Sequence, residues 1–226
     1  MRVVLLGPPG AGKGSFAQAV RERWGIAHIA SGDLLREAVK AKTPLGVEAD
    51  RYMARGELVP DALVTALIRE RVTGLAPGRG FILDGFPRTQ AQAEALDEAL
   101  AEAAAPLDRA VYLKTTPSLI ARRLAGRLVC AGCGQNYHAT NRPPARRGVC
   151  DRCGGRLQTR ADDQPETIAH RLDVYERQTA PVLAHYRSRG VLREADGDQS
   201  VEALVAELTA AFQQDGLLGH GEPVEP

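Results

Sequence analysis

Three segments of this chain combine residue types whose spacing can do chemistry. The first is Gly7-Pro-Pro-Gly-Ala-Gly-Lys13-Gly-Ser15, which follows the apolar run Val3 to Leu6 and opens a stretch of helical spacing. Glycines let the backbone curl until several N–H groups face one phosphate chain; the helix start adds partial positive charge and Lys13 a full one. The usual phosphate-loop pattern has a hydroxyl residue directly after the lysine, whereas here Gly14 intervenes and the hydroxyl comes at Ser15. Absent glycine spacing and the lysine in the turn argue against the dinucleotide fingerprint. The loop implies a bound phosphate but names no reaction.

The second is the cysteine set, Cys130-Ala-Gly-Cys133-Gly and Cys150-Asp-Arg-Cys153-Gly, with residues 134 to 149 between the pairs. Each pair makes a tight knuckle, and two knuckles complete a tetrahedron of thiolates. Two disulfides are the alternative, which a reducing compartment disfavours. Zinc is expected in preference to iron, which tetrahedral sulfur also holds. Four protein ligands leave no open position, so the metal is structural. It would staple a segment too small for its own core.

The third is Phe81-Ile-Leu-Asp84-Gly-Phe-Pro-Arg88, an acid at the carboxyl end of a buried strand, where open α/β sheets bind ligands. Asp84 is placed to hold magnesium through water. Arg88 precedes a helix and can fork onto a second phosphate, and Arg36 is another candidate for that role.

These segments need elements to position them. Val3 to Leu6, Phe81 to Leu83, Ala110 to Leu113 and Val191 to Leu192 read as short buried strands. Helical spacing covers Lys13 to Trp24, Asp61 to Val72, Thr89 to Ala103, Pro117 to Ala125, Pro165 to about Arg189 and Ser200 to Phe212. Pro181 is expected to kink or break the longest of these. Strand-helix alternation predicts an α/β fold, a parallel sheet with helices on both faces. Two stretches break the rhythm and read as insertions: Ser31 to Val59, two helical patterns begun by Ser31 as N-cap, and Gly126 to Asp163, with no helical period. The segment from Gln214 to Pro226 reads as a frayed end.

Length and balance set limits. The chain has 226 residues, 44% hydrophobic and 25% charged, with a net charge of +1. That is globular composition with no global field for nucleic acid or membrane surfaces. The apolar run after Met1-Arg2 is too short for a leader or a membrane span, so a cytoplasmic protein is expected.

Gly7 to Ser15, Ser31-Gly-Asp-Leu-Leu-Arg36, Leu83 to Gln92, Thr159-Arg-Ala-Asp-Asp163 and His170-Arg-Leu172 together closely resemble the adenylate kinase family, in its zinc-bearing lid variant. The resemblance runs unbroken from residue 1 to about 213. It implies a P-loop kinase fold with two inserted mobile subdomains. The core would take residues 1–29, 60–125 and 164–213, an AMP-binding insertion 30–59, a zinc-binding lid 126–163 and a flexible tail 214–226. It implies ATP, AMP and ADP as partners, Mg²⁺ with ATP, structural Zn²⁺, and a monomer bound to neither nucleic acid nor membrane.

Roles follow from the same resemblance. Gly10, Ala11, Gly12, Lys13, Gly14 and Ser15 would bind the ATP phosphates. Asn136, Tyr137 and the backbone of Gln199 would touch the ATP side. Ser31, Arg36, Glu57, Leu58, Val59, Gly85, Phe86, Pro87, Arg88 and Gln92 would hold AMP, with Gln92 reading the adenine edge. Arg123, Arg127, Arg160 and Arg171 would converge on the phosphates, and Asp162 and Asp163 would fasten the lid. Ser15 and Ser31 stand where Thr is frequent, Phe16 where a polar residue is usual, and Gln199 where Lys also occurs. Phosphoryl transfer needs positioned cations rather than an activated protein nucleophile, and closure to keep water out. Two rivals remain at this stage: the same architecture acting on UMP, CMP or a small-molecule hydroxyl, and a zinc-ribbon nucleic-acid binder with a nucleotide site. Thr89 to Gln92 favours adenine, and the near-neutral balance with few aromatics disfavours the second.

Overall fold

A strand that is apolar on both faces must be covered on both sides. The computed structural model, which describes residues 1–219, supplies that cover. The chain runs β1 (Arg2–Leu6), α1 (Lys13–Arg23), β2 (Ala27–Ala30), α2 (Ser31–Lys40), α3 (Pro44–Met53), α4 (Asp61–Thr73), β3 (Phe81–Asp84), α5 (Gln90–Glu102), β4 (Arg109–Lys114) and α6 (Pro117–Ala125). It continues with β5 (Arg127–Cys130), β6 (Asn136–His138), β7 (Leu157–Gln158), α7 (Pro165–Val174), α8 (Val182–Ser188), β8 (Leu192–Asp196) and α9 (Val201–Gln214).

Five strands form one parallel sheet in the order β2-β3-β1-β4-β8. Val4 and Leu6 of β1 pack with Leu83, Phe86, Leu96 and Tyr186 on one face. Val3 and Leu5 pack with Phe16, Val20, Leu208 and Phe212 on the other. This is the expected α/β arrangement, a parallel sheet flanked by helices. The connection from β1 runs toward β2 while that from β3 crosses to β4 on the other side of β1, so the crevice beyond the carboxyl ends of β1, β3 and β4 is the natural place for a ligand.

The segment between α6 and α7 is built differently. Arg127 to Cys130 is the centre of an antiparallel three-stranded sheet, order β6-β5-β7, with Leu128 opposite Tyr137 and Cys130 opposite Leu157. Its interior consists of Cys130, Tyr137, Cys150 and Leu157.

Several local expectations are corrected. β2 was not foreseen. Ser31 does not cap α2, because Ala30 holds the cap position and the Ser31 hydroxyl donates to Gly85 O at 2.6 Å instead. β8 runs on through Arg193 and Glu194 to Asp196, because its pairing with β4 continues to Lys114 opposite Asp196, and as the last strand of the sheet among the described residues it leaves polar side chains exposed. The Pro165 to Arg189 helix is divided at Pro181, but a π-helical turn over Tyr175–Thr179 precedes the break. Pro181 has no N–H to continue the ladder, and Ala180 N–H reaches back to Tyr175 O at 2.9 Å. Of residues 214 to 219, expected to fray, Leu217 and Leu218 pack against the Phe212 cluster and Asp215 pairs with Arg109 at 2.8 Å, while the rest are exposed. The remainder of that segment, 220–226, lies outside the described residues.

Candidate active site

The phosphate loop joins β1 to α1. Gly10 holds a φ of 85°, and a Cβ there would lie 3.0 Å from Leu124 Cγ, so only glycine lets the loop pack against α6. Lys13 Nζ donates to Gly7 O at 2.7 Å and Pro8 O at 2.9 Å, closing the loop on itself. Burial lowers its pKa to about 8, and Arg88, Arg171 and Arg127 push the same way against Asp84.

A cavity of about 900 Å³ opens over this loop. Gly10 to Ser15 line it, and so do Arg123, Arg127, Asn136, Tyr137 and Gln199. Every residue expected on the ATP side therefore faces one space, together with Arg36, Asp84, Arg160 and Arg171. The Tyr137 hydroxyl is engaged elsewhere: it accepts from Asp151 N–H at 2.8 Å and lies 3.4 Å from Cys150 Sγ. The Gln199 side chain is likewise turned to Glu207, while its carbonyl accepts from Arg123 at 3.4 Å.

A smaller cavity of about 60 Å³ adjoins the loop, lined by Lys13, Leu58, Gly85, Pro87, Arg88 and Arg171. Gly85, at φ 77°, is required twice over, since a Cβ would lie 2.9 Å from both Arg88 Nη2 and Ser31 Oγ. Arg88 Nε donates to Gly85 O at 2.7 Å, which aims the guanidinium. Other expected AMP-side residues do not line this space: Phe86 and Val59 are core residues, Gln92 is 2% exposed, and Glu57 pairs with Arg55 at 2.8 Å.

Cations outnumber carboxylates here. Burial lowers the pKa of Arg88, Arg160 and Arg171, and neighbouring guanidinium groups add to it. Burial also works to raise Asp162, but Arg160, Arg171, Arg36 and Arg127 outweigh it and hold the carboxyl at about 2. Arg127, at the start of the cysteine segment, pairs with Asp163 at its end, with Nε to Oδ2 at 2.7 Å. Arg171 reaches Asp163 at 2.9 Å and Asp162 at 3.1 Å; Arg160 reaches Asp162 at 3.2 Å. These pairs clasp both ends of the cysteine segment to α7. The segment also touches α1 through Gln135 and Gln18 at 3.3 Å and α2 through Lys40 and Ala131 O at 3.5 Å.

Asp84 suits a divalent cation. Burial would raise its pKa, yet His28, Lys13 and Arg88 bring it below the ordinary carboxylate value. Gly14 leaves the carboxylate room, since a Cβ there would lie 3.2 Å from Asp84 Oδ2. His28, 3.8 Å from Asp84, was missed in the sequence because β2 was missed. The cysteine Sγ atoms all lie within 4.8 Å of one another, with pairs at 3.4 and 3.6 Å, and none forms a disulfide. A zinc ion bonded to four sulfurs at about 2.3 Å sets them about 3.8 Å apart, so the residues fit a metal.

Residues 5–191 match the family model described as adenylate kinase. The adenylate kinase of Carboxydothermus hydrogenoformans is 47% identical over 214 residues, covering 95% of this chain and 100% of the relative. That of Geobacillus sp. is 47% identical over 208 residues, covering 92% and 96%. That of Methanocella arvoryzae is 45% identical over 214 residues, covering 95% and 99%. With a phosphate loop, a cation-lined cavity and near full-length relatives in agreement, the chain belongs to the adenylate kinase family.

Proposed function

We propose that this enzyme carries out the family's reaction, ATP + AMP = 2 ADP, across the two adjoining cavities, with ATP over the loop and AMP beside Arg88. The observation that carries the reading is the convergence of the expected ATP-side residues on one cavity that shares Lys13 and Arg171 with the smaller cavity lined by Arg88. The transition state spreads negative charge over the moving phosphoryl group. Lys13 leaves its two carbonyls for the ATP phosphates; Arg88 holds the AMP phosphate; Arg123, Arg127, Arg160 and Arg171 close on the group in transit. Exchange of Asp162 and Asp163 for phosphate as the arginines' partners would couple ligand binding to closure of residues 126–163 over the site, with 30–59 closing from the AMP side. Closure excludes water as a competing acceptor.

Mg²⁺ bound with ATP neutralises phosphate charge, and Asp84 and the Ser15 hydroxyl are the groups that would hold it through water. Cys130, Cys133, Cys150 and Cys153 would hold a structural Zn²⁺. A cytoplasmic monomer that binds neither nucleic acid nor membrane completes the proposal. The balanced charge supports the absence of a broad nucleic-acid or membrane surface, and no helix among the described residues is long and apolar enough to cross a membrane. Rates of ADP formation from Mg-ATP with AMP, UMP, CMP and GMP test the acceptor. AMP is expected to lead by roughly 10²-fold or more; equal rates with a pyrimidine nucleotide would reject it.

A further inference from the structure

Gln92 is nearly inaccessible, and both ends of its side-chain amide are engaged. Nε2 donates to Asp61 Oδ1 at 2.7 Å, and Oε1 accepts from the Arg88 backbone N–H at 2.8 Å. The other Asp61 oxygen accepts from Thr89 Oγ1 at 2.7 Å, and Thr89 Oγ1 accepts from the Gln92 N–H at 3.2 Å. The ring joins the first residue of α4 to the cap of α5.

A carboxylate only accepts and a backbone N–H only donates. The amide therefore has one orientation, nitrogen toward Asp61 and oxygen toward Arg88. Turning it over would set oxygen against carboxylate and N–H against N–H, leaving buried groups unpaired. In the orientation held, one N–H of Nε2 and one lone pair of Oε1 remain for a ligand.

We propose that Asp61 is a specificity-determining positioning residue: by fixing the Gln92 amide it makes the site accept a 6-aminopurine monophosphate and reject a 6-oxopurine one. The proposal rests on reading Gln92 as the adenine contact. An adenine edge offers an acceptor at N1 and a donor at the 6-amino group; hypoxanthine offers a donor at N1 and an acceptor at O6. The free N–H and lone pair of Gln92 complement the first pattern and oppose the second. Without Asp61 only the Arg88 N–H still opposes the flipped amide, so the orientation that suits a 6-aminopurine loses one of its two restraints.

The test is the ratio of kcat/KM for AMP to that for IMP at saturating Mg-ATP, a quantity independent of the fraction of enzyme that is folded. Asp61→Ala is expected to lower the ratio at least about tenfold. Asp61→Asn keeps an acceptor oxygen for Gln92 Nε2 and is expected to stay within about twofold of the parent. An unchanged ratio in Asp61→Ala overturns the proposal, and so does a ratio in Asp61→Asn as low as that of the alanine variant. Gln92→Ala separates this proposal from the reading beneath it. A collapsed ratio there beside an unchanged one in Asp61→Ala sinks the role of Asp61 alone; an unchanged ratio there sinks both.

Discussion

Two sheets wall the same cavity, and they are held by different forces. The parallel sheet buries apolar side chains on both faces, Leu83, Phe86 and Tyr186 on one and Phe16, Leu208 and Phe212 on the other. Each such side chain contributes about 1.5–3 kcal/mol on burial. The cysteine sheet encloses only Cys130, Tyr137, Cys150 and Leu157, with Leu128 and Cys133 against them. Ordering a chain costs about 1–2 kcal/mol per residue, and that interior is too small to offset it over residues 126–163. The lesson is that the floor of the site, with Lys13 and Arg88, is fixed by packing, whereas its roof is held by the Arg127–Asp163 clasp and, on the proposed reading, by a metal between its four cysteines.

Stripping the metal tests that contrast with the largest expected effect, because structural zinc binding is worth about 10–16 kcal/mol in small domains. Chelation under reducing conditions is expected to abolish hydrogen-exchange protection across β5, β6 and β7 while β1, β3 and β4 keep theirs. Loss of protection in both sheets together, or in neither, would break the distinction.

A smaller effect sharpens the account of the floor. Lys13 has a folded pKa of about 8, below its reference of 10.5. The unfolded chain therefore holds this proton more tightly. The cost to the folded state is complete below about pH 8 and vanishes as pH rises past 10.5. Phosphates beside Nζ raise the folded value again, so binding ATP near pH 8.5 should take up part of one proton. Calorimetry in two buffers of different ionisation enthalpy reads this directly. The uptake should disappear in Lys13→Met; release of protons on binding would contradict the assignment.

The floor was more legible in the sequence than its surroundings. β1 declared itself by an unbroken apolar run, the phosphate loop by glycines around a lysine, and the sulfur cluster by spacing alone. β2 was hidden because Ala27-His28-Ile29-Ala30 is short and only Ile29 is buried; its pairing with β3 makes it a strand. Ser31 looked like a cap because serine favours that position, but the Gly85 carbonyl, distant in sequence, competes for its hydroxyl and wins. The same distance hid the Asp61–Gln92 bond, and no local pattern announces a carboxylate committed to an amide on another helix. Residues 214 to 219 looked like a frayed end from their glycines, yet Leu217 and Leu218 find the Phe212 cluster.

The central claim is that packed cations on the sheet edge stabilise a phosphoryl group passing between two nucleotides. Its most direct test is the rate of ADP formation from Mg-ATP and AMP in Lys13→Met and Arg88→Met, each checked for a parent-like circular dichroism spectrum. Loss of one positioned donor should slow transfer roughly 10²–10³-fold. An undiminished rate in either correctly folded variant would contradict the account.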